Sequence, residues 1–323
     1  MQAPSLPVRI ALLVGAVALA LFPLVGAAFY LQLVAKIMIL AIFAMSLDLL
    51  VGFTGLVSLG HAAFFGLGSY TLMLLSPEYQ AANFWLSLLA AMVVAGLAAL
   101  VVGALVLRTS GVYFIMVTLA FAQMFFYFAT GSKKLGGSDG AYIYVKPDAA
   151  ILGWTPFNLG SRVQFYYVVL VAMLGTYGLL RVVLRSLFGH AIRGIRANEH
   201  RMRALGFSVF RYKLASFVLA GALAGAAGHL AAAQYGYVSP DLLGWQQSGS
   251  VLMMVILGGM GTLFGPVLGA FALVLLQDFF ADLTKHWLLP MGLFIILAVL
   301  VLPQGLGGLA LRPWRRAPEV VDA

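Results

Sequence analysis

Runs of about 20 predominantly apolar residues, the length that crosses a hydrocarbon core as a helix, follow one another along almost the whole chain. A chain built this way cannot hide its apolar side chains in a single core. It must present them to lipid, and there every backbone polar group has to be satisfied within helices or a closed barrel. Barrel strands alternate in segments of about 10 residues, whereas these runs are continuous. Composition agrees: 63% of the 323 residues are hydrophobic and 9% are charged, against roughly 25% charged in soluble domains. The fold class is therefore all-α, a polytopic membrane helix bundle.

Turn and charge clusters divide the runs into about ten transmembrane segments. They fall at roughly 8–28, 30–52, 54–75, 84–107, 111–130, 162–184, 213–236, 248–259, 262–281 and 285–303. The eighth is short, half-length or re-entrant, with Gly258, Gly259 and Gly261 marking a break after it. The N-terminal run is longer than the apolar region of a signal peptide and reads as an uncleaved first helix. With the Arg-rich stretch from Arg181 to Lys213 in the cytoplasm, both termini are cytoplasmic. Of the 19 lysines and arginines only Lys36, Lys133, Lys134, Lys146, Arg162 and Lys285 then lie outside. That asymmetry satisfies the positive-inside rule, so the net charge of +9 reports orientation, and nucleic acid is not needed as a partner.

Two loops exceed simple connectors. The external one, about 131–161, is rich in Gly, Ser, Asp and Pro. The cytoplasmic one, about 186–212, carries Ile192, Ile195, Met202 and Leu205 at helical spacing among basic residues, which predicts short amphipathic helices at the membrane face. A basic loop of this kind either lies on anionic membrane lipid or docks another protein. Residues 1–309 read as one transmembrane domain and 310–323 as a short cytoplasmic tail.

No catalytic signature is present. There is no phosphate-binding GxxxxGK[ST], no HExxH and no GxSxG, so the chain does not hydrolyse ATP itself and is not an enzyme. The absence of cysteine excludes disulfides and thiolate sites. His61, His190, His200, His229 and His286 lack metal-ligand spacing, and no bound cofactor or metal is expected.

What remains is a set of polar residues in apolar runs, which are costly there unless paired or facing water. Asp48, Thr54, Ser58, Gly60 and His61 fall in SLDLLVGFTGLVSLGHAAFFGLGSY (46–70), where five glycines permit close helix approach or unwinding. Asp48 reads either as a cap or ion pair near a helix end or as a pathway residue. His61 reads either as a hydrogen-bonded packing residue or as a pathway residue. His229 echoes His61 within a second glycine-rich run containing Gly221, Gly225 and Gly228, and Gln123 is a further polar group in an apolar segment.

The run at 46–70, GGSDG, GHAIRGIRANEHRMRALGFSVFRYKLASFVLAGALAGAAG, VSP, VILGGMGTLFGPVLGA and LPQGL resemble, in order over about 40–308, the LivM-type permease subunits of branched-chain amino acid ABC importers. The resemblance implies an inner-membrane permease domain working with a second, similar permease, two cytoplasmic ATPases that use the ATP, and an external solute-binding protein. It also implies that Arg193, Arg196, Glu199, Arg201, Arg203 and Gly206 belong to the helix that couples the permease to an ATPase. The sequence departs from the general coupling pattern, since Glu199 is followed by HRMRALG rather than by two alanines and an early glycine. The external loop around Gly136–Gly140 would face the binding protein or close the entrance. Urea and short-chain amide permeases share the GHAAFFGLG region, and an ATP-independent transporter or channel would also carry broken helices and intramembrane polar groups.

Overall fold

A computed structural model describes residues 6–24, 28–77, 80–149, 158–302 and 304–311. Most of the tail assigned to 310–323 and the loop residues 150–157 lie outside them. Thirteen α-helices occur among the described residues: α1 (Leu6–Leu21), α2 (Ala28–Asp48), α3 (His61–Leu75), α4 (Phe84–Val106), α5 (Val112–Gly131), α6 (Arg162–Arg185), α7 (Leu187–Ala197), α8 (Glu199–Ala204), α9 (Val209–Tyr235), α10 (Trp245–Gly258), α11 (Gly265–Leu283), α12 (Leu288–Val301) and α13 (Gly305–Leu311). Seven helical stretches are long and apolar enough to cross a membrane, and Leu13–Leu24 and His61–Leu75 are shorter apolar helices. The chain is thus an all-α polytopic bundle, apart from strands β1 (Ala141–Tyr142) and β2 (Tyr237–Val238), which pair antiparallel with Ala141 opposite Val238.

α2 is the central post. Apart from Gln32, Lys36, Ser46 and Asp48 it is apolar all round, as a helix surrounded by others is, and Ile37, Met38, Ala41, Phe43 and Met45 are all fully buried. It packs against α6, α9, α10 and α11. The α3–α4–α9 cluster is closed by small residues. A methyl group on Gly68 would overlap the carbonyl of Gly225, one on Gly228 that of Phe65, and one on Gly225 the Cβ of Ala95. Without a strong hydrophobic drive between helices in lipid, such close approach supplies the dispersion contact that holds them together. The outer faces of α4 and α12 reverse the soluble pattern, with Leu86 71% and Leu300 73% exposed.

Several expected boundaries move by a few residues, and the third and eighth segments show why. The third segment, expected from residue 54, begins as a helix only at His61, because α2 runs on through a π-helical turn (Leu49–Thr54) that ends on left-handed Gly55 (φ 79°). The eighth, expected from 248, is the 14-residue α10, which starts at Trp245 and is stopped by Gly259 at φ 110°, a backbone conformation only glycine adopts freely. The 186–212 stretch does form two short helices, α7 and α8. Ile192 and Ile195 are buried beneath α7, but Leu205 is 65% exposed, beyond the end of α8.

The bundle has two distinct ends. α7 and α8 mark one, here the junction end, and the β1–β2 pair marks the other, the ribbon end. At the ribbon end the Tyr237 hydroxyl donates to the Asp139 carbonyl at 2.5 Å, and a side chain on Gly140 would strike the Val238 carbonyl and the Tyr237 ring. The GGSDG segment is therefore stapled to the chain that follows α9.

Candidate functional site

Four segments distant in sequence meet at the junction end. The first is the broken end of α2. Asp48 is its last α-helical residue, fully buried, and its Oδ1 accepts from the Gly261 backbone N–H at 2.9 Å while Oδ2 has no partner. Gly52 sits one turn on, in the π-helical turn, so close that a methyl group there would overlap both the Asp48 carboxylate and the Gly261 nitrogen. The second is the α10–α11 turn, where Gly259 and Gly261 both have positive φ. The third is α13: Gly305 lies against Gly259, and a Cβ on Gly307 would sit 3.0 Å from both the Gly258 carbonyl and Thr262 Oγ1. The fourth is α7, whose Arg196 donates from its guanidinium to the Gly52 carbonyl.

A π-helical turn leaves carbonyls poorly used, which makes Gly52 an available acceptor. Arg196 takes it from outside, and Asp48 grips the next turn from within. α7 is tied a second time by Arg193, whose Nε donates to the Gly189 carbonyl at 2.9 Å and whose Nη2 donates to the Leu184 carbonyl at 2.9 Å, across the α6–α7 corner. Both guanidiniums thus turn towards their own chain. In α8 the arrangement differs. Asn198 caps it through its side chain, and Glu199 pairs with Arg203 and with Lys213 of α9, the latter at 2.6 Å. Burial pushes the Glu199 carboxyl up, but the hydrogen bonds and charges of Lys213 and Arg203 outweigh it and hold it below the usual range. Arg201 is exposed, and Gly206 is exposed with φ 84° at the turn into α9.

The other singled-out residues fall elsewhere. Thr54 Oγ1 donates to the Leu49 carbonyl at 2.8 Å, bracing the π-helical turn. Ser58 accepts from the Gly60 N–H at 3.2 Å. A Cβ on Gly60 would overlap the Thr118 carbonyl, so the loop before α3 presses directly on α5. Gln123, half-buried on α5, makes no side-chain hydrogen bond among the described residues.

His61 and His229 share one local design. In each case a serine hydroxyl donates to the carbonyl three residues back, Ser46 to Phe43 and Ser87 to Phe84, and so can only accept from the histidine. His61 Nε2 lies 2.9 Å from Ser46 and His229 Nε2 lies 2.8 Å from Ser87. The same phenylalanine packs on the imidazole, stacked at 5.5 Å in one case and edge-on at 5.1 Å in the other. Both rings are fully buried, and each Nδ1 lacks a partner.

A feature not singled out in the sequence lies toward the ribbon end, between α2, α9, α10 and α11. It is a cavity of about 510 Å³ with Lys36, Gln234, Gln247, Ser250 and Gln277 on its walls and Ile39, Leu40, Phe65, Met254 and Leu273 among the apolar lining. Lys36, counted above as an external basic residue, is two turns inside α2. Its presence in an apolar helix was the available signal. The glutamines come from three different helices, so helical periodicity alone does not assign them to a cavity.

Sequence comparison places these features in context. The profile described as branched-chain amino acid transport system / permease component matches residues 29–302. The high-affinity branched-chain amino acid transport system permease protein LivM of Escherichia coli (strain K12) is 34% identical over 289 residues, covering 83% of this chain and 68% of LivM. The corresponding BraD of Pseudomonas aeruginosa is 27% identical over 50% of this chain and 53% of its own. The autoinducer 2 import system permease protein LsrC of Klebsiella pneumoniae is 34% identical over 45% of this chain and 40% of its own. No solved structure gives a significant match. The chain belongs to the family of permease components of branched-chain amino acid transport systems.

Proposed function

We propose that this chain carries branched-chain amino acids across the inner membrane as one permease of an ATP-driven importer. In this reading ten segments span the membrane, both termini are cytoplasmic, residues 1–309 form the permease domain, and the chain itself binds no cofactor. A second, similar permease stands beside it, two ATPases dock beneath it, and an external binding protein delivers the solute. The names of the relatives support the amino-acid cargo. The observation that carries the mechanism is the seating of α7. An amphipathic helix with exposed basic neighbours is fixed by Arg196 to the one place where α2 is already broken, and through Gly52 and Gly261 it touches the α10–α11 turn as well.

An ATPase that shifts α7 by an ångström therefore pulls on two interrupted helices at once. Interrupted helices reorient about their breaks more easily than continuous ones, because fewer intrahelical hydrogen bonds resist. The side bearing α7 and α8 is cytoplasmic in this reading, and the β1–β2 pair faces the binding protein. A channel or ion-coupled carrier has less support, since Asp48 is the sole fully buried carboxylate among the described residues and it is committed to the Gly261 N–H.

The test is uptake of labelled leucine into vesicles containing the complete complex. Accumulation should require ATP, the ATPases and the binding protein together. Uptake of urea without leucine would reassign the cargo, and uptake without ATP would remove the importer reading altogether.

A further inference from the structure

We infer that the cavity between α2, α9, α10 and α11 is a recognition subsite for a zwitterionic aliphatic amino acid inside the permease, with Lys36 receiving the carboxylate. The inference rests on the functional reading above and names the site that reading lacks.

A lysine within an apolar helix is costly unless it faces a polar cavity or a counter-charge. Lys36 faces the cavity, is half-buried, and has no hydrogen bond or ion pair among the described residues. No acidic side chain among the described residues lines the cavity, which leaves the charge that complements Lys36 to a ligand. The positive field extends outward. A small neighbouring cavity shares Gln234 and is lined by Lys146 and Arg162, again with no acid among the described residues. Cations lining a low-dielectric entrance draw in carboxylates.

Acceptors for an α-ammonium stand around the same cavity. Gln234 donates its Nε2 to the Gln32 carbonyl at 2.8 Å, and this leaves its buried Oε1 without a partner. Gln247 and Gln277 bring two more amide oxygens from α10 and α11. A ligand with both charges in one place and a branched hydrocarbon next to them fits walls that pair these groups with Leu40, Met254 and Leu273. A few polar groups that fix orientation, set in an apolar lining, select an aliphatic zwitterion over urea, which has no hydrocarbon to bury and no carboxylate.

The chain has no cysteine, so a single reporter can be read against a silent background. Ser239 lines the cavity and makes no side-chain hydrogen bond among the described residues. In the complete complex, Ser239→Cys is reacted with a membrane-impermeant methanethiosulfonate, and modification of this chain is followed by mass. Excess leucine should slow labelling, and leucinamide, which lacks the carboxylate, should not. Lys36→Met should weaken leucine protection roughly tenfold, as for loss of a charge-assisted hydrogen bond, while labelling without leucine keeps its rate and so reports an intact fold. Lys36→Arg should restore part of the protection. Equal protection by leucinamide, or full protection in Lys36→Met, overturns the subsite. If wild-type complex accumulates leucine but Ser239→Cys is never protected, the subsite fails and the functional reading stands. If wild-type complex takes up no amino acid under ATP, the functional reading fails, and the subsite with it.

Discussion

Gly52 is the residue on which the junction turns, because both Asp48 and Gly261 occupy the space where its side chain would be. Gly52→Ala should destabilise the detergent-purified protein by about 1–3 kcal/mol through forced displacement, seen as a lower midpoint of thermal unfolding and a smaller monodisperse peak. The two histidine sites make a parallel case. Ser46→Ala or Ser87→Ala leaves a buried imidazole N–H without an acceptor, and each should cost about 1–3 kcal/mol. Replacing histidine and serine together, His61→Phe with Ser46→Ala, should recover most of that loss, because no unpaired donor remains. If the single serine variants unfold as wild type does, the imidazoles are held by packing alone. The sequence marks His61 and His229 as polar residues in apolar surroundings, but it hides their partners, since Ser87 is 142 positions from His229. Ser46 is near in sequence to His61, yet a broken helix lies between them, and no helical spacing connects the two.

At the scale of elements, α7 holds to the bundle through arginines and α8 through Glu199, so the two should respond differently to perturbation. Arg196→Ala removes a contact to the π-helical turn without changing the exposed surface of α8. The expected result is an ATPase that still copurifies with the complex and still hydrolyses ATP, while leucine uptake falls at least several-fold. Loss of the ATPase from the purified complex would instead make Arg196 a docking contact. Glu199 gives a pH dependence with a definite sign. Its carboxyl is held below its ordinary value, so the seat of α8 on α9 is fully stabilised above the unfolded glutamate pKa of about 4.3. That stabilisation is lost as pH falls through the lower folded value. Amide exchange across 199–213 should therefore be flat from neutral pH down to the unfolded pKa, after correction for intrinsic rates, and rise below it. Glu199→Gln should show the faster exchange at every pH. Helical periodicity at 186–212 made both helices legible, because burial of one stripe repeats every three to four residues. It could not place Leu205, since the chain leaves the helix at that point and its periodicity stops applying.

For the whole molecule, the apolar runs disclosed the class of fold, while the glycine runs disclosed where it is interrupted without saying what meets there. SLDLLVGFTG, the stretch ending in Arg196, the GGMGT turn and LPQGL are spread over some 260 positions of sequence, yet Gly52, Arg196, Gly261 and Gly305 close on one end of the bundle. Glycines separated by that distance carry no periodic signal, and only their mutual steric exclusion in the folded bundle brings them together. The cavity toward the opposite end was hidden for a related reason: its polar residues come one or two at a time from four helices that each look apolar. The junction and the cavity at opposite ends give the molecule a polarity that the charge distribution assigns to the membrane. Basic residues concentrate around α7 and α8, and in the proposed function the positive-inside rule would put that end in the cytoplasm. The native absence of cysteine makes this directly measurable. Ser138 and His200 are both exposed, at opposite ends. In intact cells Ser138→Cys should react with an impermeant maleimide, and His200→Cys should react only after the membrane is opened. Reaction of His200→Cys in intact cells would invert the molecule, placing α7 where no cytoplasmic ATPase could reach it and leaving its grip on the broken α2 without a motor to move it.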